Sequence, residues 1–149
     1  MSILIEFASA EDIDAMADLL YELFTLESDF KPQRAKQLAA LRWILDHPTH
    51  GRLFVARDGG QVVGMANALV SVSTAEGSPV LILEDVILAA SHRGGGHGRQ
   101  LVEHVLAWAK NEGMSRVTLL ADQDNAVALD FYERLGFEKS AMVVRRKRL

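Results

Sequence analysis

The chain has 149 residues, 49% of them hydrophobic, and a formal net charge of −4 at neutral pH. That is enough apolar material for one compact domain over residues 1–149, while the acidic balance speaks against nonspecific nucleic-acid binding as its main task. The absence of cysteine excludes a disulfide framework, a thiolate metal site and a cysteine nucleophile, and no stretch approaches the ~20 uninterrupted apolar residues of a membrane span.

The N-terminus, MSILIEFASAEDID, has no basic region and soon turns acidic, unlike a secretory signal. A cytoplasmic protein is therefore the expectation, with no membrane partner. Residues 3–8 read as a first strand. Ser9 stands three residues before Asp12, an N-cap-like opening for a helix whose Ile13, Met16, Leu19, Leu20 and Leu23 share one face. Phe30-Lys31-Pro32 interrupts that pattern, and a second helix runs from about 33 to 45, ending near His47-Pro48. Residues 51–57 form a strand, Asp58-Gly59-Gly60 a hairpin turn, and 61–73 a long partner strand.

After a turn over 75–79 comes the stretch around which the chain is organised. Residues 82–88 are an apolar strand. Arg93-Gly94-Gly95-Gly96-His97-Gly98 is too rich in glycine for an element interior, and Leu101, Val102, Val105, Leu106, Trp108 and Ala109 recur at helical spacing. Strand, glycine loop and helix is a phosphate-binding geometry, since bare backbone N–H groups and a helix N-terminus both favour an anion. The loop is not a dinucleotide fingerprint, because Arg99 or Leu101 stands where the last glycine belongs. It is not a P-loop either, because no lysine lies between Gly59 and Lys110. A further strand over 116–121, a helix over 126–135 and a final strand near 141–146 complete the chain. The basic end, Arg145-Arg146-Lys147-Arg148, reads as a solvated terminus rather than a nucleic-acid patch. Strands paired by hairpins and then alternating with helices indicate a mixed α/β fold around a mostly antiparallel sheet.

Two motifs give the chain a resemblance. Arg-x-x-Gly-x-Gly (Arg93, Gly96, Gly98), after a strand and before a helix, is similar to the acyl-CoA pyrophosphate loop of the GNAT family of N-acetyltransferases. Asp124-Asn125-Ala126 through Phe131-Tyr132 to Gly136-Phe137 resembles the same family's later motif, Asn-x-x-Ala-x-x-Phe-Tyr-x-x-x-Gly-Phe. The resemblance covers roughly residue 52 onward. It implies a central sheet of six to seven strands flanked by about four helices, and an acetyl-CoA-dependent transfer to an amine, with acetyl-CoA as co-substrate and no metal. The amides of Gly94, Gly95, Gly96, His97, Gly98 and Arg99 would hold the pyrophosphate, with Arg93 and Arg99 adding charge. Val86, Ile87 and Leu88 would pair with the pantetheine arm along a strand splayed by a distortion, and Asn125 would touch the cofactor or cap its helix. His97 departs from the family's apolar residue, and its loop position fits solvation better than catalysis.

Glu84-Asp85 is the oddity of the apolar strand. Neighbouring strand residues point to opposite faces, so at least one carboxylate lies near the interior, where it needs a partner or a raised pKa. The resemblance makes Glu84 the candidate general base, with Asp85 as the alternate, against a purely structural carboxylate. Tyr132 matches the family residue that protonates the leaving thiolate; the competing reading is a core tyrosine. Glu22, Glu27 and Asp29 sit on or just after the first helix, interspersed with Tyr21, Phe24 and Phe30, where the family caps its acceptor site. They suit a cationic amine, or else form a solvated face. The expectation is direct transfer to a small-molecule amine without a covalent acetyl-enzyme. Protein or peptide acetylation and a non-catalytic acyl-CoA-binding module are the alternatives. A homodimer is compatible with the apolar C-terminal strand, as is a monomer.

Overall fold

In the computed structural model, which describes residues 2–27 and 29–149, five strands stand side by side in chain order. They are β1 (Leu4–Phe7), β2 (Gly51–Asp58), β3 (Gln61–Ser73), β4 (Ser78–Leu88) and β5 (Val117–Leu119). The first four are antiparallel neighbours, and β5 joins β4 in parallel. Four helices accompany the sheet: α1 (Ile13–Leu26), α2 (Arg34–Asp46), α3 (His97–Asn111) and α4 (Ala126–Arg134). None of the described helices is long and apolar enough to cross a membrane.

The helical faces read from the sequence pack on opposite sides of the sheet. Met16, Leu20 and Leu41 of α1 and α2 bury against Leu53, Val55, Met65 and Ile87. Leu101, Val102 and Val105 of α3 bury against Phe54, Ala66, Ala68, Leu81 and Leu83 on the other face. Each fully buried leucine or valine of this kind stabilises the fold by roughly 1.5–3 kcal/mol. The entry to α1 is fixed by polar contacts. Asp12 Oδ2 accepts from the Ser9 N–H at 2.8 Å, and both Asp12 oxygens accept from the Arg57 guanidinium at 2.7 Å. Those Arg57 hydrogen bonds hold the Asp12 carboxyl below the usual range.

Two sequence expectations are corrected. The sheet has five strands among the described residues, not six to seven, and residues 141–146 are not a strand. No backbone group of 138–149 bonds the backbone of another described segment, and Met142, Val143 and Val144 are exposed. Apolar, β-branched composition favours a strand only where a partner takes its N–H and C=O groups. β5, the last strand of the sheet, spans three residues, Val117–Leu119.

The shortness of β5 has a cause in β4. Across β3 and β4, Met65 faces Ile87 and Asn67 faces Glu84, so Ala66 stands opposite both Asp85 and Val86. This is a β-bulge, which bends a strand and sharpens its twist. The β4–β5 ladder covers Leu81 to Leu83 and stops just before it. Beyond that point β5 has no neighbour, and Leu120 and Ala121, expected in the strand, leave it.

Candidate active site

The bulge is centred on Asp85, the one non-glycine residue with positive φ among those described, at 55°. Aspartate tolerates this left-handed region better than most residues, yet it is costly for any side chain. The result overturns the expectation that Glu84 and Asp85 point to opposite faces. Glu84 stands directly opposite Asn67, and Asn67 Nδ2 donates to Asp85 Oδ2 at 2.6 Å. The extra residue of the bulge brings both carboxylates to the α1 side of the sheet.

Burial pushes the Asp85 carboxyl up to about 7, helped by the negative charge of Glu84 and more weakly of Glu27, while the Asn67 N–H pulls the other way. Glu27, which ends α1, is itself raised by burial and then by Asp122, Glu84 and Asp29. Four carboxylates therefore share one field: Glu27 from α1, Glu84 and Asp85 from β4, and Asp122 from the turn after β5. Such a site attracts cations and holds at least one carboxyl ready to exchange a proton near neutral pH.

Tyr132 on α4 reaches the same field. Its ring packs on Phe131 and Phe137 at 5.1 and 5.7 Å between centroids. Burial first, and then the Glu27 charge, push its hydroxyl up to about 12, so it stays protonated throughout the neutral range. Asn125 caps α4, its Oδ1 accepting from the Ala128 N–H at 3.1 Å, which leaves its side-chain NH₂ free of that bond. The first-helix carboxylates divide. Glu22 lies 3.8 Å from Arg93 and Asp29 lies 3.0 Å from Arg146, whereas Glu27 faces β4.

Beyond Leu83, β4 continues through Glu84, Asp85, Val86, Ile87 and Leu88 with no strand on its β5 side. This open edge is a slot, and an extended chain of amides entering it would meet unpaired backbone groups. The glycine loop lies at one end of the slot. Gly94 and Gly96 hold φ of 82° and 84°, a conformation that glycine adopts at no steric cost. Gly96 precedes α3, which opens at His97, and no side chain caps that N-terminus. The first α3 turn, His97, Gly98 and Arg99, thus presents amides that have no partner within the helix, as an anion requires. Gly98 faces Phe131, so a Cβ there would lie 3.4 Å from the ring. Arg93 donates to the Leu88 carbonyl at 2.9 Å and Arg99 to Glu103 at 2.7 Å. Both arginines are engaged within the chain, and the loop's capacity for phosphate rests mainly on its backbone.

The structure thus gathers Glu84, Asp85 and Tyr132 at the slot and the residues from Arg93 to Arg99 at its end. His97 lies outside the carboxylate field, its ring 6.1 Å from that of His92. Asn67 and Asp122 do not stand out in the motifs. A signal for Asn67 does exist: it is the only polar side chain between Val62 and Val70 of a strand that reads as core. Among the described residues, no group of three or more histidine and acidic side chains is arranged to hold a metal ion.

Comparison with known proteins converges on one family. A sequence profile of the Acetyltransferase (GNAT) family matches residues 13–137. The chain is 35% identical over 91 residues to rat N-acetyltransferase family 8 member 2, a match covering 61% of this chain and 40% of that protein. It is 30% identical over 98 residues to the aminoglycoside N(6')-acetyltransferase type 1 of Salmonella typhimurium, covering 64% and 68% respectively. Among solved structures, it superimposes on AAC(6')-Iy in complex with the bisubstrate analogue CoA-S-monomethyl-acetylneamine with a TM-score of 0.82. That pair is 25% identical, with all of both chains covered. The chain spans about 40% of the length of the rat relatives it matches.

Proposed function

The chain belongs to the GNAT acetyltransferase family, and from that premise we propose that it is an acetyl-CoA-dependent N-acetyltransferase acting on a cationic small-molecule amine. The observation that carries the acceptor class is the half-buried carboxylate field at the bulge, where Asp85 is pushed up to about 7 beside Glu27 and Glu84. The aminoglycoside acetyltransferases among the relatives support an acceptor of this kind.

Acetyl-CoA supplies the activated acyl carbon and a thiolate leaving group. The loop from Gly94 to Arg99 binds its pyrophosphate through backbone amides, and the open edge of β4 from Val86 to Leu88 pairs with the pantetheine amides. Arg93 steadies that edge through the Leu88 carbonyl. An amine arriving as ammonium is drawn in by Glu27 and Glu84, and Asp85 accepts its proton so that the nitrogen lone pair can attack. Asp85, not Glu84, is the preferred base, because the bulge buries it and poises its proton affinity near neutrality. The Tyr132 hydroxyl gives its proton to the departing sulfur, and the second proton of the attacking nitrogen replaces it on the phenolate as the C–S bond breaks and the amide forms. With no cysteine in the chain, the acyl group passes directly to the amine within a ternary complex.

The test is incubation of the purified chain with acetyl-CoA and, separately, neamine, spermidine and a lysine-containing peptide, with products read by mass spectrometry. A singly acetylated small amine together with released CoA is the expected result. Acetylation of the peptide alone would replace the small-molecule reading. Acetyl-CoA binding without transfer to any amine would reduce the chain to a binding module.

A further inference from the structure

The interior of β3 contains one polar side chain that the fold does not need. Asn67 is 4% exposed, in a run that otherwise reads Val-Val-Gly-Met-Ala before it and Ala-Leu-Val after it. A valine or threonine would satisfy the strand, because neither leaves an amide in the core. The amide is only half satisfied: Nδ2 donates to Asp85 Oδ2 at 2.6 Å, while Oδ1 is buried with no partner among the described residues. Leaving a buried acceptor unpaired costs about 1–3 kcal/mol. The single interaction set against that cost is with a residue held at φ 55° in the bulge.

We propose that Asn67 is a positioning residue for the proton-abstraction step, pinning Asp85 Oδ2 so that Asp85 Oδ1 is the oxygen presented to the incoming amine. The proposal rests on Asp85 being the base. An amide is the side chain this task requires. It donates to the ionised carboxylate without adding charge to a site that already contains Glu27 on α1, Glu84 on β4 and Asp122 after β5. Tyr132 on α4 adds none, since its phenol stays protonated, and Arg93 of the loop lies beside Glu22. The Asn67 hydrogen bond is thus the one identified influence that favours the ionised form of Asp85.

The experiment follows the Asp85 side-chain carboxyl carbon by NMR through a pH titration of the full chain, with the signal assigned by its loss in Asp85→Asn. In parallel, the pH profile of kcat is recorded with acetyl-CoA and whichever of neamine or spermidine the wild type accepts. In Asn67→Ala the Asp85 midpoint is expected to rise by about one unit, and the acid limb of kcat with it, making turnover about tenfold lower below the midpoint. Asn67→Val keeps strand bulk and cannot donate, so the same rise is expected from it. It also serves if the alanine variant fails to fold. A merely structural asparagine would lower the melting temperature and leave both midpoints in place, which would overturn the proposal. If instead Asp85→Asn keeps the wild-type rate and acid limb, the assignment of the base is wrong. An unmoved midpoint in the Asn67 variants, alongside an inactive Asp85→Asn, defeats the positioning role alone.

Discussion

The glycine loop ahead of α3 and the bulged stretch of β4 lie at two ends of one slot and work by opposite means. The loop is exposed, and its side chains are absent or turned to partners within the chain. What it offers a ligand is backbone N–H groups and a helix N-terminus. The bulge is half-buried, and what it offers is a side chain whose proton affinity the surroundings have changed. Affinity therefore belongs to residues that can lose their side chains without loss of function, and chemistry to residues that cannot.

Substitutions should divide along the same line. The largest effect is expected from Asp85→Asn, which removes the base while keeping size: kcat falling about 10³-fold with acetyl-CoA affinity within about twofold, measured by steady-state kinetics and calorimetry. A comparable loss of affinity would mean that the two ends of the slot are not separable. Tyr132→Phe should lower kcat by about 10²-fold, again with little change in binding; an unchanged rate would remove the phenol from the mechanism. Gly96→Val reverses the pattern. Forcing a β-branched residue to φ 84° costs on the order of 1–3 kcal/mol, and acetyl-CoA affinity is expected to fall about tenfold or more while the pH midpoint of turnover stays put. The smallest change is expected from Arg99→Ala. Its guanidinium pairs with Glu103 at the surface, where such pairs contribute about 0–1 kcal/mol, so affinity should shift less than threefold. A drop of 30-fold would show that the loop binds through side-chain charge after all.

Much of the fold was legible because its signals are local. The helical spacing of Leu101, Val102 and Val105, the Asp58-Gly59-Gly60 turn and the Arg93–Gly98 glycines each mark an element without reference to the rest of the chain. The bulge could not be read in this way. It consists of Ala66 facing two residues of β4, a relation between strands that no window of either contains. From it follow the common side of Glu84 and Asp85 and the early end of β5. The expected strand over 141–146 failed for a related reason, since Met142, Val143 and Val144 have the right composition but no bonded neighbour. Asn67 was visible as a polar residue in an apolar strand, but its importance depends on Asp85 being 2.6 Å away, which only the fold determines.

The left-handed backbone at Asp85 has a consequence for how this protein can change. Glycine is the residue that position prefers, and a carboxyl with a raised pKa destabilises the folded state as pH climbs from the unfolded value of about 4 towards 7 and remains a full burden above that. Both arguments point the same way: an Asp85→Gly variant should melt at a higher temperature than the wild type at pH 8, and the gain should shrink as the buffer is taken down to pH 5. Random mutagenesis selected only for robustness would drift towards that glycine. Selection for turnover would hold the aspartate in place, and the temperature tolerance of the two populations would diverge at this single codon.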